Sequence, residues 1–287
     1  MNSSSDTLDR NADRIVSEIG IPPCPAILTR LLRETRADEP DFRRIGQLVG
    51  GDVALASAML KVANSSFYGL HVKASSVHQA LALLGLRTVT QLVTGLLLRQ
   101  AFSGLIGPGM ERYWKTSMAT SLISALLSRE TGQGDSGVVC TYSLFRDCGM
   151  PVMWRKFPIY EDIFDGSALT PDEPVLEIEN ERYATNHACV GAHLARNWHL
   201  PESMCYAILR HHDVVYSSEA RSDGELGAGP LTLIAIGLAA EQLYCSATGQ
   251  GCHEWTLAGE WALSEMGLTQ SRFEILTLRV AASIQHL

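Results

Sequence analysis

The sequence predicts an all-α fold, and three observations carry that prediction. Apolar residues recur at spacings of three and four along most of the chain. Residues that start and stop helices punctuate those runs. No stretch alternates apolar and polar residues with a period of two, and no strand–helix–strand rhythm is present. The 287 residues are 46% hydrophobic and 19% charged, which supports a sizeable core and excludes a disordered chain.

The elements follow in order. Residues 1–17 begin MNSSSDTLDRNADR, polar and acidic, and are expected to form a flexible tail rather than a signal peptide. Pro22, Pro23 and Pro25 punctuate the entry to the fold, where proline is tolerated just before a helix. A helix from Ala26 to Thr35 would bury Ile27, Leu28, Leu31 and Leu32, and another from Phe42 to Val49 would bury Ile45, Leu48 and Val49. Asp52 is placed to cap a helix that carries Leu55, Met59, Leu60 and Ala63 and ends near Asn64. Ser76 and Gln79 have the capping-box spacing ahead of a helix that stops at Gly85. Thr88 to about Phe102 reads as a further buried helix, and Gly104, Gly107, Pro108 and Gly109 close this lobe.

A second helical stretch spans Met110 to about Glu130 and breaks at Gly132-Gln133-Gly134-Asp135. A short helix is expected from Cys140 to Cys148, followed by an irregular, acidic connector that contains Pro151, Pro158, Pro171 and Pro174. Tyr183 to Trp198 reads as one helix, and the next begins at Pro201 and reaches His211 or His212. Helices are then expected at about 231–247, 254–266 and 270–285. The organisation implied is a tail of 1–17, a helical lobe of 18–107, a second lobe of 108–245 and C-terminal helices over 246–287.

Charge and cysteine usage narrow the function classes. Lys plus Arg number 23 against 31 Asp plus Glu, a formal net charge of -8, so a general nucleic-acid footprint is not expected. The seven cysteines are odd in number and widely spaced, with no CxxC pair, and are expected to be reduced thiols in a cytoplasmic protein. In the C-terminal part the uncharged run from Leu226 to Ala240 is too short for a bilayer span, so no membrane insertion is expected.

Arg146-Asp147 lies on an expected helix, His187 on a later one, and His211-His212 near the end of a third. Converging imidazoles and a carboxylate can hold a metal. Helix-terminal histidines can instead cap carbonyls, or sit hydrogen-bonded in a groove. The spacing does not choose between these readings. Adjacent His211 and His212 point in different directions on a helix, so at most one is expected to face a given centre. No GxSxG, GxGxxG or P-loop pattern is present.

Taken together, the motifs resemble the HDOD family, signalling relatives of the HD-domain metal-dependent phosphohydrolases. Ile21-Pro22-x-x-Pro25 is similar to the family's Leu-Pro-x-x-Pro. Asp52-Val53-Ala54-Leu55 is similar to its Asp-Pro-x-Leu. Ala63-Asn64-Ser65-Ser66-Phe67-Tyr68-Gly69 is similar to its Ala-Asn-Ser-x-x-Tyr-Gly, and Ala80-Leu81-x-x-Leu84-Gly85 to its Ala-Ile-x-x-Leu-Gly. Further on, Leu144-Phe145-Arg146-Asp147-Cys148-Gly149 resembles Leu-Leu-His-Asp-Ile-Gly with arginine in place of histidine. His187-x-x-Val190-Gly191-Ala192 and Ile208-x-x-His211-His212 follow in family order.

The resemblance implies a non-catalytic regulatory module that acts through a protein partner, with Pro22, Pro25, Asp52, Asn64, Ser65, Tyr68, Gly69 and Gly85 as structural motif positions. Its relict HD cleft would consist of Arg146, Asp147, His187, His211 and His212. The first HD histidine would fall near Trp114 to Met118, and the closing aspartate on the 231–243 helix; neither residue is there. No cofactor is expected beyond weak, adventitious capture of a divalent ion by Asp147 and the histidines. The alternatives are a metal-dependent phosphohydrolase with a reduced site, completed by Glu181 or Asp213, and a sensor of a small anion.

Overall fold

Local capping decides where the first helices start. Asp41 accepts hydrogen bonds from the backbone N–H groups of Arg43 and Arg44 and opens α2 (Phe42–Gly50), while Asp52 accepts from Leu55 N–H and opens α3 (Val53–Ala63). Pro25 O accepts from Leu28 and Thr29 at the start of α1 (Ala26–Thr35). Ser76 Oγ accepts from Gln79 N–H at the start of α4 (Val77–Ala101). Gln79 Oε1 reaches back to Ser75 rather than Ser76, one residue further than the capping box predicts. The computed structural model describes residues 11–15, 17–18, 24–35, 37–64, 70, 72–164, 174–221 and 228–284.

Helices α1, α2 and α3 pack on α4 around Leu28, Leu31, Ile45, Val49, Met59, Ala80 and Leu81. The stop expected at Gly85 is a kink inside α4, with Gly85 at φ 79° and ψ 165°, a backbone conformation that L side chains rarely adopt. Asn64, at the end of α3, clamps the following segment: Nδ2 donates to Ala74 O (2.8 Å) and Oδ1 accepts from Ala74 N–H (2.7 Å). Of the segment expected to be a flexible tail, the described part is helical and docked. Ala12 and Ile15 are buried, and Asn11 Nδ2 donates to Ala184 O.

The remaining helices are α5 (Pro108–Thr131), α6 (Ser136–Phe145), α7 (Gly149–Lys156), α8 (Glu161–Phe164), α9 (Val175–Tyr183), α10 (His187–Asn197), α11 (Glu202–Tyr216), α12 (Ala228–Thr248), α13 (His253–Glu265) and α14 (Gln270–Ile284), with a 3-10 turn at Pro158–Tyr160. The described residues contain no strand. Helix α12 is central to this part, packed by α5, α11, α13 and α14, and α4 reaches across to α6.

Several sequence expectations need correction. The helix expected over Cys140–Cys148 ends at Phe145, so Arg146 and Asp147 lie in a turn before α7. The helix expected from Tyr183 begins at His187, because Ala184 adopts φ 53° and Asn186 caps α10 from Cys189 N–H. The stretch expected to be an irregular connector contains α7, which includes Pro151, the 3-10 turn that starts at Pro158, α8 and α9, and α11 continues to Tyr216. Two helices, Val77–Ala101 and Gly229–Thr248, are long and apolar enough to cross a membrane by length and composition, which the uncharged-run criterion missed; about half of each is buried within the fold.

Candidate functional site

A close helix crossing sets the site's geometry. Gly149 at the start of α7 and Gly191 in α10 let two backbones touch. A Cβ on Gly149 would lie 2.0 Å from His187 O and 2.7 Å from Gly191 N. This crossing brings Asp147, two residues ahead of Gly149, to His187 at the first position of α10. Helix α11, packed along α10, then delivers His211 and His212.

These four residues converge. One ligand atom from each of Asp147, His187, His211 and His212 lies within 4.8 Å of all the others. Asp147 Oδ1 is 3.3 Å from His211 Nε2 and 3.7 Å from His187 Nε2, and His187 Nε2 is 3.0 Å from His212 Nε2. The expectation that only one of the adjacent histidines faces the centre is wrong. Their rings are 4.0 Å apart and straddle it, since an imidazole is long enough for side chains a hundred degrees apart to reach one point.

Outer groups fix each ring. His187 Nδ1 lies 2.9 Å from both oxygens of Glu179, which also accepts from His187 N–H (2.8 Å) and from the Tyr160 hydroxyl. His211 Nδ1 lies 2.7 Å from Ile208 O, and His212 Nδ1 is bonded to Glu254. Carboxylates and carbonyls only accept, so all three Nδ1 atoms carry hydrogen. In the neutral rings the three Nε2 lone pairs then face inward. The Nε2 atoms of His187 and His212 therefore need a shared positive charge between them, supplied by a proton on His212 or by a metal ion. Inward Nε2 lone pairs, outward Nδ1–H groups held by acceptors and one carboxylate oxygen suit a borderline divalent ion. The donor set thus fits such an ion, held by Asp147, His187, His211 and His212.

Charge and burial shift the titrations. For Asp147 burial pushes upward, but Arg146 and the histidines outweigh it and hold the carboxyl well below its usual range. Burial and the neighbouring His212 charge lower His211 to about 4. Burial also opposes protonation of His212, yet Glu254 wins and raises it. Glu254, though buried, is drawn down to about 2 by His212 and Arg146.

Arg146 does not face the histidines. Its Nη2 and Nε lie 3.0 and 3.1 Å from Asp147 Oδ2, and Nη2 lies 2.9 Å from Glu241 Oε2. The helix expected to lack a closing aspartate therefore still supplies a carboxylate, Glu241, but to the arginine. Asp213 and Glu181 do not complete the centre: Asp213 pairs with Arg210, and Glu181 is exposed. Sequence reading missed Glu179, Glu241, Glu254 and Tyr160. The available signal was Glu241, the lone charge in α12. Among the motif positions, Pro25, Asp52, Asn64 and Gly85 act at helix starts, ends and the kink, whereas Pro22, Ser65, Tyr68 and Gly69 lie outside the described residues.

Residues 21–214 match the family profile described as the HDOD domain. An uncharacterised protein of Treponema pallidum is 25% identical over 214 residues, which is 72% of this chain and 40% of that protein, so the chain spans well under half of that relative's length. Among solved structures, an HDOD domain protein of unknown function from Geobacter sulfurreducens superposes with a TM-score of 0.74 at 19% identity, covering 98% of each chain. A proposed signal transduction protein from Marinobacter aquaeolei gives 0.72 at 21% identity, covering 99% of this chain and 65% of its own. A proposed phosphohydrolase from Shewanella amazonensis gives 0.70 at 17% identity, covering 93% of each. At these identities the structural matches establish the fold.

Proposed function

The chain belongs to the HDOD family, and on that premise we propose that it is a non-catalytic signal-transduction module that works through contact with a regulatory protein. One observation carries this reading: the HD ligand set is incomplete. Arginine stands where the HD histidine would be, and it is ion-paired to Asp147 and Glu241. A guanidinium has no lone pair for a metal and is permanently charged. An ion bound by Asp147 and the three histidines would supply Lewis acidity at one point. What this chain's own residues provide is a buried, cross-braced centre that ties the α6–α7 turn, α10 and α11 together. The surrounding carboxylates Asp147, Glu241 and Glu254 favour a cation over a phosphate there. The net charge of -8 supports a protein partner rather than nucleic acid. All seven cysteines are free thiols, which supports a reducing compartment.

The test is phosphodiesterase and phosphomonoesterase activity of the purified chain on nucleotides and cyclic dinucleotides, with manganese, magnesium, nickel or iron(II) supplied. The expected result is no turnover above background. Metal-dependent turnover that disappears in both Asp147→Ala and His187→Ala would overturn the reading in favour of a hydrolase.

A further inference from the structure

The residues around Arg146 form a second half of the same centre with different chemistry. Three carboxylates gather there, from the α6–α7 turn (Asp147), α12 (Glu241) and the start of α13 (Glu254). The arginine side chain is 11% exposed and those of Asp147 and Glu241 only 24% and 26%, so none is well solvated. Carboxylates this close and this buried repel one another unless a cation lies between them. Gly237 lets α12 approach the end of α6 closely, since a Cβ there would come 2.9 Å from a ring carbon of Tyr142. The guanidinium binds Asp147 through Oδ2 alone, leaving Oδ1 turned to His211 and His187. Tyr142, fully buried on the last turn of α6 before Arg146, ends in a hydroxyl without a hydrogen-bond partner.

We infer that Arg146 is a tethered cation that stands in for a divalent ion between Asp147 and Glu241, closing an oxygen-rich cation site that the fold would otherwise present. The centre is thereby divided. Its imidazole half, with Asp147 Oδ1, suits borderline ions that accept nitrogen. Its carboxylate half is filled by the chain's own side chain and has no place for a hard, oxygen-seeking ion. A salt link from the α6–α7 turn to α12 is then permanent and independent of metal supply. This assignment holds whether or not the module signals through a partner.

Calcium tests it, because calcium seeks carboxylate oxygens and binds imidazole poorly. Thermal unfolding is followed in EDTA and in millimolar calcium at matched ionic strength. The wild type is expected to unfold at the same temperature in both. Arg146→Met keeps most of the apolar stem and removes the charge. It is expected to lose stability in EDTA and to regain about 3 °C or more with calcium. Arg146→Lys, which restores a tethered cation, should be insensitive to calcium again. The double variant Arg146→Met with Glu241→Gln should be more stable than Arg146→Met in EDTA and lose the calcium response, since one of the repelling carboxylates is gone. If Arg146→Met fails to fold, recovery of folding in the double variant supports the same charge role. A calcium response in the wild type, no response in a folded Arg146→Met, or failure of both variants to fold would overturn the assignment and leave Arg146 a packing residue.

Discussion

Between Ala26 and Ala101 the buried polar side chains among the described residues are Gln91 and Thr94, both neutral. In the helices that follow, they include Glu179, His187, His211 and His212, all ionisable. The first set of helices directs several of its polar groups at nearby backbone, Asp41, Asp52, Ser76 and Asn64 each satisfying N–H groups within about ten residues in sequence, while Gln91 donates to Ser136 O across to α6. The second set pairs side chains with side chains far away in the chain, as with Arg146 and Glu241 or His212 and Glu254. Local caps add stability in small independent steps. A buried charged network is stable only while every member is present, because removing one leaves another desolvated and unpaired.

The hardest way to break the second region is through its backbone contact. Gly149→Ala would force a methyl against His187 O and Gly191 N, and backbone cannot step aside as a flexible side chain can. The expected cost is about 3 kcal/mol in denaturant unfolding. Because His187 is the displaced residue, zinc or nickel uptake by the centre should fall with it. Uptake unchanged alongside a stability loss would show that the crossing supports packing but does not position the site.

Acid should separate the two regions next. His211 is held near 4, below the 6.5 of an unfolded chain, so between those values the unfolded state takes a proton that the native state refuses. Stability therefore falls as pH drops, by about 3 kcal/mol over that window from this ring alone. Asp147 and Glu254, both lowered, add stability above their unfolded values that is lost as pH falls further. His212 works in the opposite sense. Its raised value contributes stability below 6.5 that fades as pH rises through the folded value. Hydrogen exchange across this range should show α10 and α11 losing protection before α1 to α3. Simultaneous loss would mean that the helices unfold as one unit and that the chemical contrast has no energetic boundary.

The same contrast explains what could be read from the sequence. Asp52, Ser76 and Gly132 act on their own neighbours, so their spacing was enough to place two helix starts and the end of α5, while Gly85 marked a break that the sequence read as a stop and the structure makes a kink in α4. The convergence of Asp147 with the histidines was anticipated through the family resemblance, because their spacing is too long to mean anything locally. Glu179, Glu241 and Glu254 were missed because a single carboxylate on a helix looks like surface until its partner is located. Asn186 was missed for a related reason: a run of apolar spacing hid the turn at Ala184 that restarts the helix at His187.

Asn64 offers the mildest and most selective test of the first region. Its amide does for Ala74 what a neighbouring strand does for a residue in a sheet, donating to the carbonyl and accepting from the N–H. Asn64→Ala removes both bonds and leaves two partly buried backbone groups unpaired, at an expected cost of about 1–2 kcal/mol. Asn64→Asp keeps the acceptor facing Ala74 N–H but sets an oxygen against Ala74 O. It should recover the first bond and add a repulsion, giving a loss close to that of alanine at neutral pH and a smaller one once the carboxyl is protonated and can donate. The first region would then gain from acid in this variant while the second loses, so acid titration of the two Asn64 variants by denaturant unfolding compares both regions in one molecule. Equal stability of wild type and Asn64→Ala would mean that the clamp is incidental, and that the segment from α3 to α4 is held by Ala74 and Val77 packing into the core.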